Sequence, residues 1–117
     1  MRKSALIFFL TIAALVLSAA AAVRTDTAVF TLHNHSGYTF REVWIIPGEE
    51  GASGGGKLNI KPLESGYKVK ITIRNASQHE NWNIRAYYEN SGREWTNVPV
   101  SRIKDFWVDG SLMARWQ

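Results

Sequence analysis

The chain contains no cysteine, which removes disulfide bridges and thiolate chemistry together. Small exported domains usually lean on disulfides, so any such fold here must be held by packing alone. Proline is scarce too, with three residues, Pro47, Pro62 and Pro99, each standing where an alternating segment stops or bends. Charge of one sign is missing as well. Fourteen basic against ten acidic residues give a formal charge of +4. A nucleic-acid partner asks for a far more basic face, so none is expected. Beyond the first residues there is no apolar run approaching the roughly 20 residues that a membrane-spanning helix needs, and no helical periodicity. Aromatic side chains are what the chain has in quantity: five Trp, five Phe and four Tyr.

The N-terminus has the order of parts of a secretory signal peptide. Met1-Arg2-Lys3 is a basic start, Ala5–Leu17 an apolar core, and Ser18–Ala22 a run of small residues suited to cleavage. The apolar core is too short for a membrane anchor, and no cysteine follows it to carry a lipid. We expect residues 1–22 to be removed near Ala20–Ala22, leaving a periplasmic or secreted protein. About 95 residues then remain, enough for one domain with a single core. Without Arg2 and Lys3 its charge falls to about +2, which gives solubility but no strong electrostatic address.

Tyr67–Arg74 is the clearest structural signal. Tyr67, Val69, Ile71 and Ile73 alternate with Lys68, Lys70, Thr72 and Arg74, which predicts a strand with one face on a core and one basic, wet face. Thr27–His33 alternates likewise through Ala28, Phe30 and Leu32. Tyr38–Ile46 reads as a second strand with imperfect phase, so either both faces are covered or a bulge near Arg41-Glu42 re-phases it. Pro47–Gly56 has little to bury and predicts a mobile loop. Leu58 and Ile60 suggest a short strand. Trp82–Tyr88 is another strand, the expected neighbour of Tyr67–Arg74. A three-residue hairpin loop Asn90-Ser91-Gly92, with Gly92 in the left-handed region, would place Ile84 opposite Val98 and Trp82 opposite Val100. Tyr87 would then lie opposite Trp95, and Arg85 opposite Asn97, on the outer face. A loop one residue longer would instead turn Trp95 into the core beside Ala86. Pro99 points to a sheet edge or a bend, Ile103–Val108 to a last apolar segment, and Asp109–Gln117 shows no period. The fold class expected is all-β, a single-domain antiparallel β-sandwich over residues 23–117, with a small barrel as the alternative.

The run Asn34-His35-Ser36-Gly37-Tyr38-Thr39-Phe40-Arg41-Glu42-Val43-Trp44-Ile45 resembles the opening of a family of small exported bacterial β domains of unassigned function. Leu63-Glu64-Ser65-Gly66 leading into Tyr67–Ile73 is similar to its next signature, with Ser65 where a turn proline is more usual. Trp82-Asn83-Ile84-Arg85-Ala86 and an aromatic at Trp95 continue the likeness, which covers roughly Phe30–Val108. The long Gly-rich loop departs from the pattern. The resemblance implies export and a β-sandwich, and it transfers no functional residue.

Catalytic and ligand-binding patterns are sparse. Gly51–Lys57 matches seven places of a phosphate-binding loop, but Leu58 replaces the hydroxyl residue and a strand, not a helix, is expected to follow. His33 and His35, two apart, could face a metal together; no third or fourth ligand is in place, and exposed histidines beside a turn suffice as an account. No nucleophile elbow occurs and Glu49-Glu50 sit in the predicted loop, so no catalytic residue, metal or cofactor is expected. Asn34-His35-Ser36 and Asn75-Ala76-Ser77 match glycosylation sequons and are expected to mark exposed turns. Two surface features remain. Tyr87 and Trp95, flanked by Arg85 and Asn97, would suit a partner protein's hot spot or a sugar ring. The competing account is that the rings help to close the core. Lys68, Lys70, Arg74 and Arg85 would form a basic face for anionic lipid or glycan, or would simply keep the sheet soluble. The expectation is an exported, non-enzymatic module that binds a protein at the cell envelope, with a carbohydrate-binding module and a small hydrolase as the alternatives.

Overall fold

In the computed structural model, residues 26–49 and 55–117 are described. The expected signal peptide and the centre of the Gly-rich loop lie outside the described residues. The alternating segments become strands β1 (Thr27–Asn34), β2 (Glu42–Pro47), β3 (Gly56–Lys57), β4 (Lys68–Arg74), β5 (Trp82–Tyr88), β6 (Ser91–Val98), β7 (Asp105–Val108) and β8 (Ala114–Trp116). A 3-10 turn, Ala76–Gln78, separates β4 from β5. The strands form two four-stranded sheets, ordered β4-β1-β7-β8 and β3-β2-β5-β6. This is the all-β sandwich expected, antiparallel throughout except where β1 runs parallel to β7. Among the described residues no helix is long and apolar enough to cross a membrane.

The core lies between the sheets because each strand turns its alternate apolar residues the same way. β1 contributes Ala28, Phe30 and Leu32, and β4 contributes Ile71 and Ile73. From the facing sheet come Val43 and Ile45, Trp82, Ile84 and Ala86, then Trp95 and Val98. Phe106 sits at the centre, with Phe30 at 6.4 Å, Trp95 at 5.6 Å and Trp116 at 5.7 Å between ring centroids. Each fully buried large side chain contributes about 1.5–3 kcal/mol, which is how a cysteine-free domain of this size holds together.

Several expectations are corrected. β4 does not lie beside Trp82–Tyr88: its ladder runs to β1 alone, from Thr27↔Arg74 to His33↔Lys68, and β5 belongs to the other sheet. Tyr67, expected on the buried face, precedes the strand and is 64% exposed. The segment after Lys57 is not a strand, although Leu58 and Ile60 do pack on the core. The predicted loop Pro47–Gly56 is shorter at both ends. Pro47 belongs to β2, the Gly48 N–H donates to Asn81 O (2.9 Å), and Gly56 pairs with Ile45 in β3. The aperiodic tail contains β8, paired with β7.

The imperfect phase of the second strand has a physical cause. The Arg41 N–H donates to Tyr87 O (2.8 Å) while Glu42 is paired with the same Tyr87. Two residues therefore oppose one, as in a bulge, and Phe40 and Val43 both point inward.

Asn34 anchors the start of this region. It is fully buried, so the first sequon marks no exposed turn. Its Nδ2 donates to Tyr38 O (2.8 Å) and Leu63 O (2.9 Å), and its Oδ1 accepts from Ser36 N (3.0 Å) and Ser36 Oγ (2.6 Å). A buried amide is tolerated here because its donors and acceptor are all used.

Candidate functional site

The aromatic pair proposed from the sequence is not assembled. The hairpin between β5 and β6 turns in two residues, Glu89-Asn90, so Tyr87 faces Gly92 and Ile84 faces Trp95. Trp95 is 6% exposed and its Nε1 donates to Leu112 O at 3.0 Å. This is the competing account, a ring that closes the core. Asn97 is likewise not opposite Arg85, which pairs with Glu94. The register slips between Trp82 and Ile84, which brings Val98 opposite Trp82, and Asn97 takes φ 57 beyond the slip.

Arg85 and Tyr87 do share the outer face of their sheet. Arg85 donates to Glu94 Oε1 through Nε (3.1 Å) and Nη2 (2.7 Å), and through Nη1 to the Tyr87 hydroxyl (3.3 Å). The Tyr87 hydroxyl first, and then Glu94, hold the guanidinium above its ordinary pKa, so the group is a fixed cation. Trp44, which sequence reading did not single out, sits in the same row between Lys57 and Arg85. Its Nε1 is buried without a partner among the described residues. The signal was the second-strand pattern itself, with Trp44 and Ile46 alternating against Val43 and Ile45.

The basic face splits between the two sheets. Lys68, Lys70 and Arg74 line the outside of β4, whereas Arg85 lies on the opposite side of the molecule. The outer face of the first sheet carries a stacked row instead. His33 lies 5.2 Å from Trp107 at 18°, and the Arg115 guanidinium sits 4.6 Å over the same indole. Since β1 and β8 flank β7, these neighbours cover both faces of the Trp107 ring. His33 is half-buried, with its Nε2 2.8 Å from Asp105 Oδ1, a carboxylate neighbour that local spacing could not reveal. His35 stacks on His33 at 6.4 Å, and His79 pairs with Glu49 on the far side of the chain. Among the described residues no three His, Cys, Asp or Glu side chains gather as a metal site. Lys57 leads into an irregular segment and not a helix, so the phosphate-loop match lacks the helix terminus it requires.

A concave feature runs along β4. A cavity of about 640 Å³ is bounded by Asn59–Glu64 on one side and Tyr67–Lys70 on the other. A second of about 280 Å³ shares Asn59, Ile60 and Lys70 with it. A third of about 240 Å³ shares Leu58 and Thr72 with the second and ends at Arg74 and Trp82. Together they make one groove between edge strand β4 and the segment 58–64. That segment turns its hydrogen bonds away from β4, with the Leu58 N–H donating to Val43 O (2.8 Å) and the Leu63 N–H to Phe40 O (2.9 Å). The floor is apolar, from Val69, Ile71, Leu58 and Ile60; the rim is mainly basic, from Lys61, Lys68 and Lys70, with Glu64 the one acid.

The chain matches no family model, no curated protein and no solved structure.

Proposed function

We propose that this chain is an exported, non-catalytic β-sandwich that binds another protein at the cell envelope, and that it does so through the groove along β4. The single observation carrying this reading is an apolar-floored groove following the whole of an edge strand. Its elongated form suits a segment of polypeptide better than a compact metabolite. The secretory features of residues 1–22 support an encounter in the periplasm or outside the cell. The carbohydrate-binding alternative asks for open ring faces side by side. Trp95 is turned inward and both faces of Trp107 are covered, so these two rings offer it no such platform.

Site-directed photo-crosslinking tests the proposal. A photoreactive residue replacing Tyr67 at the groove mouth should capture an envelope protein in intact cells. The same residue replacing Val29, 47% exposed on the outer face of the first sheet, should capture none. Absence of capture at position 67, or equal capture at both, would overturn the assignment.

A further inference from the structure

We infer that the groove takes its partner as an added β-strand, one whose residues alternate apolar and acidic. This deepens the envelope-protein reading and rests on it. At one end of the β1–β4 ladder the Asn34 N–H donates to Tyr67 O (3.0 Å), and at the other the Asn75 N–H donates to Asp26 O (2.9 Å). Hydrogen-bonded and non-bonded pairs alternate along an antiparallel ladder. The odd-numbered residues between these ends therefore bond to β1. The N–H and C=O groups of Lys68, Lys70, Thr72 and Arg74 point to the free edge, into the groove. None of them has a backbone partner among the described residues.

β4 is exceptional among the four sheet edges formed by the described residues. β3 has two residues and β8 has three. β6 is long but is broken by its register slip and by the left-handed Asn97. Short, bulged or twisted edges are the usual means of preventing strand addition. β4 pairs in unbroken register over all seven residues, so it presents a regular template roughly 20 Å long.

A strand laid beside β4 would place every second side chain inward, against Val69, Ile71, Leu58 and Ile60, which are apolar. The remaining side chains would lie outward beside Lys68, Lys70 and Arg74 as direct cross-strand neighbours, where opposite charges attract and like charges repel. The same row disfavours a second copy of β4, which would set lysine against lysine. Edge lysines thus exclude self-pairing while leaving an acidic strand welcome.

A synthetic peptide alternating valine with glutamate is the probe, titrated into the full chain and followed by tryptophan fluorescence and by sedimentation. It should bind, more weakly as salt rises, and the valine–lysine counterpart should not. Thr72→Pro removes an N–H aimed at the groove and no bond to β1, so it should keep the cooperative melt and weaken the peptide by about tenfold or more. If that variant does not fold, N-methylation of alternate peptide amides puts the same question to the native protein and should abolish binding. Three results would overturn the inference: equal binding of the lysine peptide, binding indifferent to Thr72→Pro or N-methylation, or dimerisation of the chain through β4. Capture at position 67 with any of these would leave the envelope-partner reading standing and remove strand addition alone.

Discussion

The two long edge strands, β4 and β6, handle the same problem in opposite ways. Each exposes a row of backbone groups that another chain could bind. β6 answers with geometry: a register slip, a left-handed Asn97 and the proline just beyond it. It also carries Trp95 deep into the core, so its position is tied to the packing of the whole domain. β4 keeps straight pairing and is guarded by charge alone. A geometric guard closes an edge to every partner, whereas a charged guard closes it to some and opens it to others. The difference marks β4 as the edge with a use.

Four substitutions would break or sharpen this contrast. The largest effect should come from Trp95→Ala, which leaves a cavity beside Phe40 and Phe106 and orphans Leu112 O. A loss of about 3–5 kcal/mol in urea unfolding is expected, against no more than about 0.5 kcal/mol for the exposed Tyr67→Ala. Comparable losses at the two positions would undo the claim that Trp95 on β6 is tied to the core while Tyr67 at the groove mouth is not. Next comes Asn97→Ala, which forces a Cβ-bearing residue with no local polar group into φ 57. It should cost about 1 kcal/mol; an unchanged melting temperature would mean the kink at the β6 edge is easily relaxed.

The smallest effect concerns pH, at the far end of the β4 ladder. The Ser77 N–H donates to Asp26 Oδ1 (2.8 Å), and its hydrogen bonds hold the Asp26 pKa below the ordinary carboxylate value. A depressed folded pKa contributes stability above the unfolded value and loses it as pH falls towards the folded one. Asp26→Asn should therefore lower stability slightly at neutral pH and make the acid limb of the stability profile shallower below about pH 4. An identical acid limb in the two proteins would remove Asp26 as a contributor.

Much of this scaffold can be read from the residues, and the losses have specific physical causes. Strict alternation located β1, β4 and β5 because a period of two is a local property. Which strand lies beside which is not local: β4 finds β1 across more than thirty residues, and nothing in either segment names the other. The hairpin register departs from the expected one for a different reason. Gly92 looked like the left-handed residue of a bulged turn, yet that conformation belongs to Glu89 at φ 50, an uncommon place for a glutamate. Gly92 is instead in the strand opposite Tyr87, where a Cβ would come within 3.1 Å of the tyrosine ring. The glycine serves a side-chain contact across the strands and not a turn. The two-residue turn sets Trp95 opposite Ile84 and separates it from Tyr87, and the groove along β4 has no local signal because it depends on a gap between two segments.

The saturated amide of Asn34 also separates the two sequons by timing. Glycan transfer to Asn-x-Ser acts on the side-chain nitrogen of an accessible chain. In a glycosylating secretory pathway Asn34 would be reachable only before folding. A sugar attached then would consume a hydrogen that the carbonyls of Tyr38 and Leu63 require and would have to occupy a site with no exposed surface. Modification at Asn75, on an exposed turn, is compatible with the finished domain. One tripeptide would record a folding failure and the other a decoration, although as motifs they are indistinguishable.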